Sequence, residues 1–163
     1  MSCDVAILMG SASDLPSLEG CFTILKAFEV NFTARIISAH RTPDIAAEFA
    51  KKAEINGIKV IICAAGMAAH LGGVIASHTI IPVIGIPMIS DGFNALDSLL
   101  SIVQMPPGIP VAAVSAGKAG AKNAALYAIQ ILALSDKNFN KKIHEFRKRQ
   151  ADEVIKADKN LHV

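Results

Sequence analysis

Histidine and arginine stand side by side in Ser38-Ala39-His40-Arg41-Thr42-Pro43. A histidine gives and takes a proton near neutral pH. An arginine holds a permanent forked charge that suits phosphate or carboxylate. The flanking residues say where the pair must sit. Phe32-Thr33-Ala34-Arg35-Ile36-Ile37 has the composition of a strand. Thr42 suits a helix N-cap, Pro43 the first helical position, and Asp44 the positive helix end. His40 and Arg41 are therefore expected on a short loop at the carboxyl end of a strand, where open α/β sheets bind ligands.

Two other loops offer related chemistry. Gly10-Ser11-Ala12-Ser13-Asp14 follows the apolar run Asp4–Met9 and precedes a helix. Its small residues let backbone N–H groups approach an anion, Ser11 and Ser13 add hydroxyls, and Asp14 can accept from sugar hydroxyls. It lacks the spacing of the dinucleotide and P-loop fingerprints, so a plain strand-to-helix turn capped by Ser13 is the competing reading. Ala65-Gly66-Met67-Ala68-Ala69-His70-Leu71-Gly72-Gly73 is nearly bare of side chains. A flat ligand can lie against such backbone, at Gly66 for instance, and His70 is the polar group able to reach it. Close packing with a locally satisfied His70 is the alternative.

The elements behind these loops alternate. Strands are expected at Asp4–Met9, Phe32–Ile37, Ile58–Ala64, Ile81–Ile86 and Pro110–Val114. Helices are expected after Asp14 (Leu15, Leu18, Phe22, Leu25 and Phe28 inward), over Pro43–Asn56, in a short piece to His78, over Asn94–Gln104 and over Gly120–Leu134. The Gly120–Leu134 stretch is apolar almost all round, which predicts burial on several sides. This order predicts an α/β fold with a parallel sheet covered on both faces. From Asp136 to about Ala157 the chain becomes charged around a narrow stripe of Phe139, Ile143, Phe146, Gln150 and Val154. That pattern predicts a long helix protruding from the body and packing on a neighbouring subunit.

Composition narrows the function classes. The chain has 163 residues, 52% of them hydrophobic, and a net charge of +2. Its length suits one domain, Met1–Val163. No apolar run reaches the roughly 20 residues that span a bilayer. No basic segment leads into an apolar core at the N-terminus, so a cytoplasmic location is expected and no membrane partner. The absence of Trp, the single Tyr and the low net charge argue against nucleic acid. Cys3, Cys21 and Cys63 form neither a disulfide framework nor a zinc pattern, and no metal is expected. His78 and His144 read as structural or surface residues, and the basic run Lys141–Arg149 as a solvated helix face.

The loops, taken with Asp97-Ser98-Leu99-Leu100-Ser101-Ile102-Val103-Gln104-Met105-Pro106 and Gly117-Lys118-Ala119-Gly120-Ala121-Lys122-Asn123, resemble the bacterial PurE family from about Val5 to about Glu153. That family comprises the 5-(carboxyamino)imidazole ribonucleotide mutases of purine biosynthesis. The resemblance implies a flavodoxin-like three-layer sandwich and a homo-octamer with sites at subunit contacts. By motif position His40 is the acid/base, and Ser11, Asp14 and Arg41 bind substrate. Ser13 and Ser38 fall near the phosphoribosyl group, and Gly66 and His70 line the site. Three positions depart from the family pattern: Met67 and Ala95 stand where Gly is usual, and Gly72 where Pro is usual. A positive φ at residue 67 would strain a methionine.

The implied chemistry needs a group that gives and takes a proton near pH 7, which one histidine supplies. The carbamate substrate is already activated, so no cofactor (ATP, biotin or metal) is required. A related carboxylase using free carbon dioxide and a non-catalytic phospho-ligand module remain the alternatives.

Overall fold

The strand Val5–Met9 (β1) lies inside a five-stranded parallel sheet ordered β2-β1-β3-β4-β5. The other strands are Phe32–Ile36 (β2), Val60–Ala65 (β3), Val83–Pro87 (β4) and Ala112–Ala113 (β5). The helices are Leu15–Ala27 (α1), Pro43–Ala53 (α2), Leu71–Ala76 (α3), Leu96–Val103 (α4), Gly117–Ala133 (α5) and Lys137–Lys159 (α6). This computed structural model describes residues 3–161. The order and sense of the strands are those of the flavodoxin-like fold, as expected. The chain divides into two compact units, Met1–Ala128 and Ile129–Val163.

β1, β3 and β4 are buried at every position. Their continuous runs of Val, Ile, Leu and Ala belong to strands covered on both faces. β2 is an edge, and its last three residues are exposed. The fifth strand is much shorter than its apolar run suggested, because only Ala112 and Ala113 pair with β4. The core under α2 and α3 is built from Leu8, Ile37, Ala46, Ala50, Ile61, Leu71 and Ile75.

Three sequence expectations need correction. Leu15 is 47% exposed and Phe22 half-buried, while Leu18, Leu25 and Phe28 are buried as expected and Cys21 joins them. α5 starts earlier than expected, at Gly117 (φ +63). Its buried residues, Ala121, Ala124, Ala125, Ala128, Ile129 and Leu132, make one stripe, and Lys118, Asn123 and Tyr127 lie exposed on the other face. An alanine-rich helix looks apolar all round because Ala is compatible with either environment. α6 is capped by Asp136, which accepts from the N–H groups of Asn138 and Phe139. It buries only Ile143 of its apolar stripe.

The register of the sheet matters most for the site. Met9 pairs with Ile36 on one side and Ala64 on the other, and Ala65 pairs with Pro87. The chain therefore leaves the first four strands at one level. Backbone bonds extend that alignment: Gly10 N–H donates to Ala64 O, Ile37 N–H to Met9 O and Met88 N–H to Ala65 O. Four loops converge where the strand order reverses between β1 and β3, the switch point at which such sheets hold ligands.

A candidate active site at the switch point

The loop after β1 folds into a 3-10 turn, Ala12–Asp14. Ser11 caps it: its Oγ accepts from the Ser13 N–H, and its own N–H donates to Asp14 Oδ2 at 3.2 Å. Ser13 is thus not the cap. Its hydroxyl donates to Ser11 Oγ at 2.9 Å. Burial holds the Asp14 carboxyl above its ordinary range, and the Ser11 N–H offsets part of that rise.

The loop after β2 is held by a residue whose role differs from the expected one. Thr42 occupies the N-cap position of α2, but its hydroxyl does not cap the helix. Thr42 Oγ1 accepts from the Ser38 N–H at 3.0 Å and donates to the Ser38 carbonyl at 2.9 Å. This clamp closes the turn that carries His40 and Arg41. Ser38 Oγ in turn accepts from the Arg41 N–H and from Nε. Arg41 Nη2 donates to the Gly10 carbonyl at 2.6 Å, joining the first two loops. The rest of the guanidinium fork stays available.

The loop after β3 brings His70 to His40. His40 Nε2 and His70 Nδ1 lie 2.9 Å apart with the rings at 83°. One ring donates and the other accepts, so the contact couples their tautomers. Met67 has φ +55, the left-handed conformation that glycine takes freely. Ala95, ahead of α4, has φ +70. Both family glycine positions are thus of the left-handed kind. Gly72 lies buried in the first turn of α3, where an added Cβ would stand 3.4 Å from Val111 Cγ1.

The loops enclose a cavity of about 830 Å³. Every candidate lines it: His40, Ser11, Asp14, Arg41, Ser13, Ser38, Gly66 and His70. So do Ile89, Ser90 and Asp91 after β4, which the sequence reading missed. Their signal was available, since Ser-Asp-Gly follows the carboxyl end of an expected strand. His78 and His144 are exposed, and Cys63 is buried with its thiol pushed well up by desolvation. Among the described residues no group of His, Cys, Asp or Glu is arranged to hold a metal ion, and no helix is long and apolar enough to cross a membrane.

A cavity at the switch point of a 2-1-3-4-5 parallel sheet, with a histidine pair beside an arginine-braced serine loop, defines a flavodoxin-like α/β protein with an enzyme-like cleft. The family model described as AIR carboxylase matches residues 4–153, and the chain belongs to that family. An N5-carboxyaminoimidazole ribonucleotide mutase of Brucella melitensis is 50% identical over 160 residues, covering 98% of this chain and 99% of the relative. A Pyrococcus abyssi protein of the same name is 54% identical over 143 residues, covering 88% and 81%. Crystal structures of Treponema denticola PurE2-S38D and PurE superpose with TM-scores of 0.90 and 0.88 at 32% and 33% identity. The first covers 100% of both chains and the second 98% of both.

Proposed function

We propose that this protein is a 5-(carboxyamino)imidazole ribonucleotide mutase of purine biosynthesis, acting as one catalytic domain. The observation that carries the reading is the meeting of His40 with His70, 2.9 Å apart, in one cavity with Arg41 and the serine loop. The mutase name of relatives about half identical over nearly the whole chain supports it.

His40 is the proton carrier. Protonated, it delivers a proton to the exocyclic nitrogen as the carbamate N–C bond breaks and the bonding pair returns to nitrogen. Carbon dioxide is freed beside the ring. The electron-rich ring carbon then attacks it, a C–C bond forms, and His40 takes the ring proton. Atoms, charge and the histidine all return to balance, with no cofactor consumed. Arg41, Ser11, Ser13 and Ser38 hold the phosphoribosyl group, and Asp14 accepts from sugar hydroxyls. Gly66 and the small residues beside it receive the flat ring, with His70 orienting His40. Fixing the ring while bonds change is worth several orders of magnitude in rate.

A homo-oligomer, an octamer by resemblance, is part of the proposal, as is a cytoplasmic location. Its support is the exposed apolar face of α4 (Leu96 54%, Leu100 46%, Val103 46%) with Phe93 at 68%. The exposed distal half of α6, including Val154 and Ile155, supports its packing on a neighbouring subunit.

The test supplies purified protein with the carbamate, without ATP, and follows product absorbance. Turnover unaffected by bicarbonate is the expected result. Turnover of plain aminoimidazole ribonucleotide only at high bicarbonate makes the protein a carboxylase. Binding with neither reaction makes it a phospho-ligand module.

A further inference from the structure

Ser98, in the first turn of α4, is wholly buried, as no other polar or charged residue is among the described ones. A buried hydroxyl must find an acceptor. Ser98 Oγ lies 3.1 Å from the Ala95 carbonyl and 3.0 Å from the Met88 carbonyl. The Ala95 carbonyl, three residues back, would satisfy the hydroxyl by itself, in the local pattern serine commonly uses. The bond to Met88 therefore does more than the helix requires. It ties α4 to the first residue after β4.

Met88 stands directly behind the site. It is buried, lines the cavity, and donates its N–H to the Ala65 carbonyl at 2.9 Å. A Cβ added to Gly66 would stand 3.5 Å from both the Cβ and the carbonyl oxygen of Met88. Gly66 thus rests on Met88, and Ser98 holds Met88 from the far side. Two longer contacts from α4 reach the same loops: Ser101 Oγ to the Met67 carbonyl at 3.5 Å, and Asp97 Oδ2 to Ser90 Oγ at 3.4 Å. Ser98, Met88 and Ala95 are all buried within the one chain, so this brace is complete in a single subunit whatever a neighbour covers.

The mutase reading lays the flat ring against Gly66. It places the phosphate holders, and His40, on the loops after β1 and β2. A shift of Gly66 therefore moves the ring relative to His40 while the phosphate stays anchored. Misplacing a reacting group by about 1 Å can cost about 100-fold in rate. Resting on that reading, we infer that Ser98 is a positioning residue for the transfer: its hydroxyl fixes Met88, and through Met88 the height at which Gly66 presents the ring to His40. It touches no substrate and moves no proton.

The experiment measures kcat and KM for the carbamate with wild type, Ser98→Ala, Ser98→Cys and Ile7→Val. Sites are counted by calorimetric titration with aminoimidazole ribonucleotide, and each protein is melted. Ile7→Val, a change at a buried position of β1, controls for lost stability. Ser98→Ala should lower kcat per site roughly 10- to 100-fold with KM within a few-fold of wild type. Ser98→Cys fills the same space with a weaker donor and should lose rate in the same direction, by less. Ile7→Val should melt lower and keep the wild-type kcat per site. A purely structural role for Ser98 would lower the number of sites and not the rate of each. Ser98 variants with the wild-type kcat per site, or with KM raised and kcat unchanged, overturn the inference and leave the mutase reading standing. An equal fall in Ile7→Val overturns it as well. No conversion of the carbamate by wild type removes the mutase reading, and the inference with it.

Discussion

Arg41→Lys keeps the charge and removes the fork. In the structure the fork is already oriented: Nη2 donates to the Gly10 carbonyl at 2.6 Å and Nε to Ser38 Oγ at 3.3 Å. A lysine ammonium cannot brace both loops and hold a phosphate oxygen at once. With Arg41 in its proposed role at the phosphoribosyl group, the variant is expected to lose one charge-assisted hydrogen bond to phosphate. Such bonds are worth about 1.5–3 kcal/mol, and exposure of Arg41 to solvent reduces that to about 1–2 kcal/mol. Affinity for aminoimidazole ribonucleotide should therefore fall about 5- to 30-fold by calorimetric titration. The control is the same ligand without its phosphate. The nucleoside should lose less affinity than the nucleotide, because the phosphate bond is lost on top of the loop braces to Gly10 and Ser38. Equal weakening of nucleotide and nucleoside would mean that Arg41 acts by shaping the loops and not by holding the phosphate.

Asp14→Asn tests the raised carboxyl. A folded value above the unfolded one means the native state binds the proton more readily, so this group favours folding below the ordinary carboxylate range and disfavours it as pH rises through the folded value. The amide oxygen can still accept from the Ser11 N–H, so the variant should melt higher than wild type at neutral pH, with the gain fading toward about pH 4. A gain independent of pH would contradict the assignment. Gly120→Ala should be severely destabilising: its Cβ would collide with the Ser115 carbonyl oxygen, a backbone atom, and stand 3.4 Å from Ile86 Cγ2. We expect a loss of about 3 kcal/mol or more in urea unfolding. Gly72→Ala, with its nearest contact an ordinary 3.4 Å, should cost less than about 1 kcal/mol and can gain from better helix propensity.

The fold was legible because β1, β3 and β4 are short apolar runs closed by small-residue loops. Those runs also set the register that brings Gly10, Ser38 and Gly66 to one level. Local sequence does not reveal pairing length, so Pro110–Val114 looked like a full strand although only Ala112 and Ala113 join the sheet. Thr42 shows the same limit at the site. Its position marks a helix start correctly, while its hydroxyl serves Ser38, a choice made by the turn geometry. The contact between His40 and His70 spans thirty residues, and no spacing rule signals it. Ser90 and Asp91 were overlooked although Ser-Asp-Gly follows the carboxyl end of β4, because such a run also suits an ordinary turn.

In the proposed mechanism His40 moves the protons, in a site whose binding groups act independently of it. The direct measurement compares wild type with His40→Asn, pairing single-turnover conversion of the carbamate with titration by aminoimidazole ribonucleotide. Asparagine keeps a polar atom near the place of Nδ1, gives up the Nε2 contact with His70, and does not titrate near neutrality. Loss of acid–base catalysis costs about 10²–10⁴ in rate. A drop of that order is expected, with ligand affinity within a few-fold of wild type. Conversion by His40→Asn at the wild-type rate would contradict it.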